Sequence, residues 1–126
     1  MIGGDNFFLD ENNAWERALD FLLMENSFLK MKLSEAVDVA TDLKLVSEAE
    51  QYQSVFLKND EVYTTLLHEV RHQQNALKKK KLALNSVNNL NFEKKQQSIR
   101  EQMEAAEISF SKLKREFNDY ISNMLN

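Results

Sequence analysis

The chain has 126 residues and a formal net charge of −4, with no proline, no cysteine and two glycines. The absence of cysteine excludes disulfides and cysteine-based zinc sites, and mild acidity argues against general nucleic-acid binding, which depends on neutralising phosphates. The longest uninterrupted apolar run, Phe21–Met24, is far shorter than the roughly 20 residues that a membrane-spanning helix needs.

The N-terminal residues 1–13 have neither the basic region nor the apolar region of a signal peptide, so we expect a cytoplasmic protein. Both glycines, Gly3 and Gly4, lie in a segment, residues 1–9, that we predict to be a flexible tail. Beyond it, strong helix formers dominate and no residue forces the chain out of a helix. The rest, residues 10–126, is therefore predicted to be one helical domain.

Three helices are predicted within this domain, over about residues 10–43, 47–86 and 91–125. The first break is expected before Ser47–Glu50, which has the pattern of a capping box. The second is expected in the run NSVNNLN, residues 85–91, where asparagine tolerates left-handed backbone and can cap the next helix.

Apolar residues alternate at spacings of three and four along each predicted helix, over Trp15–Leu43, Tyr52–Val87 and Phe92–Met124. A mean period of 3.5 residues is typical of left-handed coiled-coil packing. Short connections make sequential helices antiparallel. The predicted fold is all-α: three long antiparallel helices in an up-down-up order, associating further into an oligomeric bundle.

Asn26 is a polar exception on the inward face of the first predicted helix. A buried asparagine at such a position can fix the register and number of helices. The alternatives are an asparagine tolerated near the edge of the bundle, or one that is hydrogen-bonded to Tyr63.

A second apolar face follows the opposite side of the same helix. We call it the apolar stripe, and it consists of Phe21, Met24, Phe28 and Met31. At 100° per residue the stripe lies about 160° from the inward face, so a single neighbouring helix cannot cover both. We expect it to bind a second copy of the chain. A different protein partner and cover from the same chain, by the segment 7–9 or by the third helix, are the alternatives.

The sequence His68-Glu69-Val70-Arg71-His72 has the H-E-x-x-H spacing of zinc peptidases. The heptad pattern, however, turns Leu66 and Val70 inward, which points both imidazoles away from the core. A hydrolytic zinc site needs a third protein ligand, oriented supporting groups and a cleft.

Glu93 is the third ligand that the spacing would favour. The expected hairpin register places His72 opposite Ala105, so Glu93 would lie about 18 Å away along the rod. The E-x-x-H spacing of Glu69 and His72 also occurs in di-iron bundles, but these need two such motifs facing inward. We therefore predict no catalysis and no cofactor. The alternative is a metal-binding helical protein that uses His68 and His72.

Lys78–Lys81, with Lys94 and Lys95 across the expected turn, form a basic end. A lysine run near a helix C-terminus is usually a solvated face that complements the helix dipole, so we expect neither nucleic-acid nor membrane contact there. The sequence favours a non-enzymatic coiled-coil scaffold or adaptor without a small-molecule substrate. Its partner is expected to be a second copy, with a dimer favoured, or another helical protein.

Overall fold

The computed structural model describes residues 2–79 and 86–125. Three helices account for nearly all of them: α1 (Ile2–Val39), α2 (Leu43–Lys79) and α3 (Ser86–Leu125). The described residues contain no strand. At 1.5 Å per residue each helix is between about 55 and 60 Å long. The molecule is thus an all-α bundle of three long helices, as predicted.

Hydrogen bonds between α1 and α2 show that these helices are antiparallel. Near the start of α1, Glu16 accepts a hydrogen bond from Arg71, which lies close to the end of α2. Farther along α1, Asn26 donates to Asp60, which lies earlier in α2. The partner position in α2 moves backward as α1 advances.

The third helix runs in the same direction as the first. Arg100 near the start of α3 pairs with Glu11 near the start of α1, and Lys114 farther along α3 pairs with Glu25. The order of directions is therefore up-down-up, as the short connections predicted.

Most of the inward positions predicted along the described helices belong to one continuous hydrophobic core, to which all three helices contribute. Its most deeply buried members, all less than 2% exposed, are Leu19, Leu29, Phe56, Leu66, Val70, Ile99, Met103 and Phe117. Aromatic rings of α2 and α3 meet at one end of this core, where Phe56 and Phe117 lie edge to face with centroids 5.1 Å apart.

The connection between α1 and α2 lies earlier than the sequence predicted. The carboxylate of Asp42 accepts hydrogen bonds from the backbone N–H groups of Lys44 and Leu45, so Asp42 caps α2. Ser47, the expected cap, lies inside the helix, and its hydroxyl donates to the carbonyl of Lys44. Leu43, expected to end the inward face of the first helix, instead begins α2 and is 83% exposed.

The other helix ends also differ from the predicted bounds. Helix α1 begins at Ile2, within the stretch expected to be a tail, and the ring of Phe8 packs against Phe92 of α3 at a centroid distance of 5.4 Å. Helix α3 begins at Ser86, so most of the run expected to form the second turn is helical. The predicted end of the second helix, at residue 86, was wrong, because Ser86 is the first residue of α3; residues 80–85 lie outside the described part of the chain.

Candidate functional site: the outer face of the first helix

The apolar stripe is the most prominent exposed feature of α1. Its four side chains retain 54% (Phe21), 62% (Met24), 49% (Phe28) and 52% (Met31) of their accessible surface. The inward residues of the same helix, such as Leu22 and Leu29, are buried against the other two helices. Helix α1 therefore has one covered and one uncovered apolar face within the described chain.

Neither of the expected intramolecular covers closes the stripe. In the N-terminal segment, Phe8 packs toward Phe92, while Phe7 is itself exposed. Helix α3 approaches only one border of the stripe, where Phe21 and Phe110 line an open groove of about 290 Å³. The described side chains thus leave most of the stripe in contact with solvent.

Charged and polar side chains surround the stripe. The ammonium group of Lys32 lies 5.6 Å from the centre of the Phe28 ring, within range of a cation–π contact. Arg17 and Glu35 are exposed beyond the two ends of the stripe, on the same side of the helix. An apolar centre with a polar border is the usual composition of a protein interface.

Asn26, on the covered face of α1, is completely buried and hydrogen-bonded to α2. Its amide nitrogen donates to the carbonyl of Phe56 and to the carboxylate of Asp60, each over 2.8 Å. Its oxygen accepts a weaker hydrogen bond of 3.3 Å from Asn59. The partners are thus Phe56, Asn59 and Asp60 and not Tyr63.

The carboxylate of Asp60 links Asn26 to a charged side chain nearby. Asp60 also accepts a hydrogen bond from Lys30 of α1, so one carboxylate joins two side chains of the neighbouring helix. Burial, together with the negative charge of Asp60, raises the pKa of Tyr63 to about 12. The phenol, in a core position of α2, is therefore harder to ionise than a phenol in water.

A second set of polar side chains, buried at its centre and partly exposed at Glu11 and Arg100, joins all three helices near the start of α1, and we call it the polar layer. It comprises Glu11, Asn12, Gln73, Gln96 and Arg100. The amide oxygen of Gln96 accepts hydrogen bonds from Asn12 (3.0 Å) and Gln73 (3.2 Å), and its nitrogen donates to Glu11 (2.8 Å). Arg100 donates two further bonds to Glu11, of 2.6 and 2.7 Å. The polar layer fixes the height of α3 relative to α1 and α2.

These partners lower the pKa of the Glu11 carboxyl group. Partial burial alone would raise its pKa, but the hydrogen bonds from Arg100 and Gln96 and the charge of Arg100 outweigh that effect. The pKa of Glu11 therefore lies below its ordinary value. Asn12 also donates to the carbonyl of Phe8, while its own buried oxygen accepts no hydrogen bond from the residues that the structure describes.

Sequence reasoning did not identify the polar layer. Gln73 and Gln96 were visible as polar exceptions in the heptads of the second and third helices, and Asn12 extends the heptad of the first helix by one step. Their meeting depends on the relative heights of three helices, which the heptads do not specify. Polar residues at inward positions near helix ends were the available signal.

Both imidazoles of the H-E-x-x-H segment lie on the surface of α2, with His68 and His72 exposed. The glutamate between them, Glu69, accepts a hydrogen bond from Lys95 of α3. Arg71 pairs with Glu16 of α1. Within residues 2–79 and 86–125, no three histidine, cysteine, aspartate or glutamate side chains are placed to hold a metal ion together.

The expected register at His72 was wrong. His72 borders a groove with Asn91, Phe92 and Lys95, so it lies at the height of the start of α3 and not opposite Ala105. Helix α2 ends at Lys79 and α3 begins at Ser86, both earlier than predicted, so residues of α2 face earlier residues of α3 than expected. Glu93 is thus at nearly the same height along the bundle as His72. The expected separation of the two residues, which argued against Glu93 as a third metal ligand, was therefore wrong.

The basic end is described only in part. Lys78 and Lys79 are exposed in the last turn of α2, where they complement the helix dipole. Lys80 and Lys81 lie outside the described residues. Lys95 is paired with Glu69, and Lys94 is exposed.

Compared with the known protein families, with curated proteins and with solved structures, the chain matches none. Among the helices that the structure describes, none has a stretch long and apolar enough to cross a membrane. The fold and the surface define the structural class of the protein, which is a bundle of three long antiparallel helices with an exposed apolar face on α1.

Proposed function

We propose that this protein is a non-catalytic scaffold or adaptor that works by association, as a coiled-coil assembly with a second copy or with a helical partner. The apolar stripe of α1 is the contact surface. The observation that carries the proposal is the exposure of four large apolar side chains in succession on one helix face.

The size of the stripe supports this function. A phenylalanine side chain buries on the order of 150–250 Å², so a half-exposed ring leaves roughly 100 Å² in water. The four residues of the stripe together expose roughly 400 Å² of mainly apolar surface, a size at which the largest patch of a monomer often serves in binding.

The composition of the stripe also favours a protein partner. Methionine has a flexible, polarizable side chain that adapts to the shape of a contact surface. Phenylalanine and methionine are enriched in the cores of protein interfaces, whereas lysine and glutamate are depleted there. The charged side chains around the stripe, including Lys32, are arranged as a border.

Folding of the protomer does not require the stripe. The continuous core is built from the opposite face of α1 and from α2 and α3, and none of the four stripe residues belongs to it. Four half-exposed apolar residues that lie outside the core of their own chain are accounted for by an external contact. The same separation allows each of them to be replaced without unfolding the protein.

The test is the mass of the protein in solution, measured by light scattering after gel filtration and by sedimentation equilibrium. We expect the wild type to exceed the 14.7 kDa of one chain. Phe28→Glu should reduce the mass to that of a monomer, because a carboxylate would be buried without a partner. Circular dichroism should show unchanged helix content.

Leu57→Glu is the matched control. Leu57 is as exposed as Phe28 but lies on α2, outside the stripe. This variant should assemble like the wild type. Equal masses for the two glutamate variants, both above that of a monomer, would remove the stripe from the proposal, and a wild type that stays monomeric at high concentration would remove self-association.

A further inference from the structure

We propose that the occupant of the apolar stripe is a second copy of this chain in antiparallel orientation, with the two-fold axis at the height of Asn26. The proposal rests on the function proposed above and adds the partner, its direction and its register. Three features of α1 support it: the symmetry of the stripe, the charges at its ends, and the burial of a charged residue against an apolar one in every register shifted by a heptad.

The stripe is symmetric about Asn26. Phe21 and Met31 lie equally far before and after this residue, as do Met24 and Phe28. In an antiparallel pair centred there, Phe21 faces Met31 of the second copy, and Met24 faces Phe28. Every layer of the contact then combines an aromatic ring with a thioether, a favourable pairing.

The charges at the two ends of the stripe are complementary only in the antiparallel orientation. Arg17 and Glu35 are also equally far from Asn26, are exposed, and lie in line with the stripe. Antiparallel pairing brings Arg17 of each copy to Glu35 of the other, which gives two identical ion pairs, as two-fold symmetry requires. Parallel pairing would place arginine against arginine and glutamate against glutamate, and such like-charge contacts select against a wrong arrangement.

The same residues fix the register. Sliding the antiparallel copies by one heptad in one direction places Arg17 opposite Phe28, and sliding them in the other places Glu35 opposite Met24. Both shifts bury a charge against an apolar side chain, and this is costly. Only the register centred on Asn26 buries all four stripe residues against one another.

The inward face of each α1 remains covered by its own α2 and α3, because the stripe lies on the opposite side of the helix. The two copies of α1 would thus form the centre of the assembly. Each would be enclosed between its own bundle and that of the second copy.

Pulsed electron–electron double resonance can determine the orientation, because it measures the distance between two spin labels. The chain has no cysteine, so a single introduced cysteine is the only site that is labelled. Ala14→Cys and Asp38→Cys change exposed residues in line with the stripe, equally far from Asn26 on its two sides. In the antiparallel dimer, labels at either position alone should lie about 36 Å apart along the helix axis. A mixture of the two variants should add a short distance that reflects the roughly 10 Å between neighbouring helix axes.

A parallel dimer would give the reverse pattern: short distances from each single variant and the long one from the mixture. That result would overturn the antiparallel proposal and leave the proposed function intact. A wild type that remains monomeric would overturn both. The two failures are therefore distinguishable.

A charge exchange tests the register independently. Arg17→Glu and Glu35→Arg should each weaken dimerisation by about tenfold, because each places two like-charged pairs at the ends of the contact. The double variant should regain most of the wild-type affinity. Arg115→Glu, an exposed charge change on α3, should leave dimerisation unchanged. A double variant no better than the single ones would refute the Arg17–Glu35 pairing.

Discussion

Replacing Asn26 with alanine should destabilise the protein far more than its small change in volume suggests. The side chain is completely buried and donates two hydrogen bonds of 2.8 Å to α2, one to the carbonyl of Phe56 and one to the carboxylate of Asp60. A neutral hydrogen bond contributes about 1 kcal/mol net, and one to a charged group about 1.5–3 kcal/mol. We expect Asn26→Ala to lower the free energy of unfolding by about 2–3 kcal/mol.

Urea and thermal unfolding, followed by circular dichroism at one fixed protein concentration, measure this loss. At about 4 °C per kcal/mol for a domain of this size, Tm should fall by about 10 °C. Ser27→Ala is the control, since Ser27 is the exposed neighbour of Asn26 and its replacement should change stability by less than about 0.5 kcal/mol.

A double-mutant cycle separates the bond to Asp60 from the rest of the effect. Asn26→Ala and Asp60→Ala should be coupled by about 1 kcal/mol, because they remove the same interaction. If Asn26→Ala destabilised the protein no more than Ser27→Ala does, the buried hydrogen bonds would not hold α1 and α2 together in the way described above.

The polar layer and the histidine pair give two further expected outcomes. The pKa of Glu11 is lower in the folded protein than its ordinary value. The ionised carboxylate therefore contributes fully to the free energy of unfolding at a pH above the ordinary carboxyl pKa. This contribution is lost as the pH falls through the lowered pKa of the folded state. Glu11→Gln should therefore cost about 1 kcal/mol at pH 7 and much less near pH 3, as measured by urea unfolding. Glu50→Gln, at an exposed position of α2, is the control and should change stability at pH 7 by less than about 0.5 kcal/mol. The exposed pair His68 and His72 should retain the untagged protein weakly on a nickel-chelate resin, and His68→Ala should abolish this retention. Elemental analysis that finds one zinc per chain in the wild type and none in His68→Ala would contradict the prediction that the protein has no cofactor.

The apolar stripe shows what a sequence can reveal about a site. Its four members and their position opposite the inward face follow from helical geometry at 100° per residue, which requires no knowledge of the other helices. Whether α3 or the N-terminal segment covers the stripe depends on where those elements pack. The contact of Phe8 with Phe92 decided that point for the N-terminal segment.

The partners of Asn26 mark the limit of the same reasoning. A buried polar role was foreseeable from its inward position, but its bonds to Phe56, Asn59 and Asp60 were not. A displacement of one helix turn along α2 would have offered other partners. Periodicity defines the face of a helix and says nothing about its height against a neighbour.

The sequence by itself determined the all-α fold, the number of helices, their alternating directions and the face that each turns inward. These properties depend on local propensity and on periodic spacing, which act within one helix at a time. The tertiary structure alone decided where the helices begin and end and how they are aligned. Asp42, and not Ser47, caps α2, and the alignment of α3 brings Gln96 to Gln73 and Asn12. Such alignments depend on buried hydrogen bonds between residues far apart in the chain, because burial makes an unpaired polar group costly.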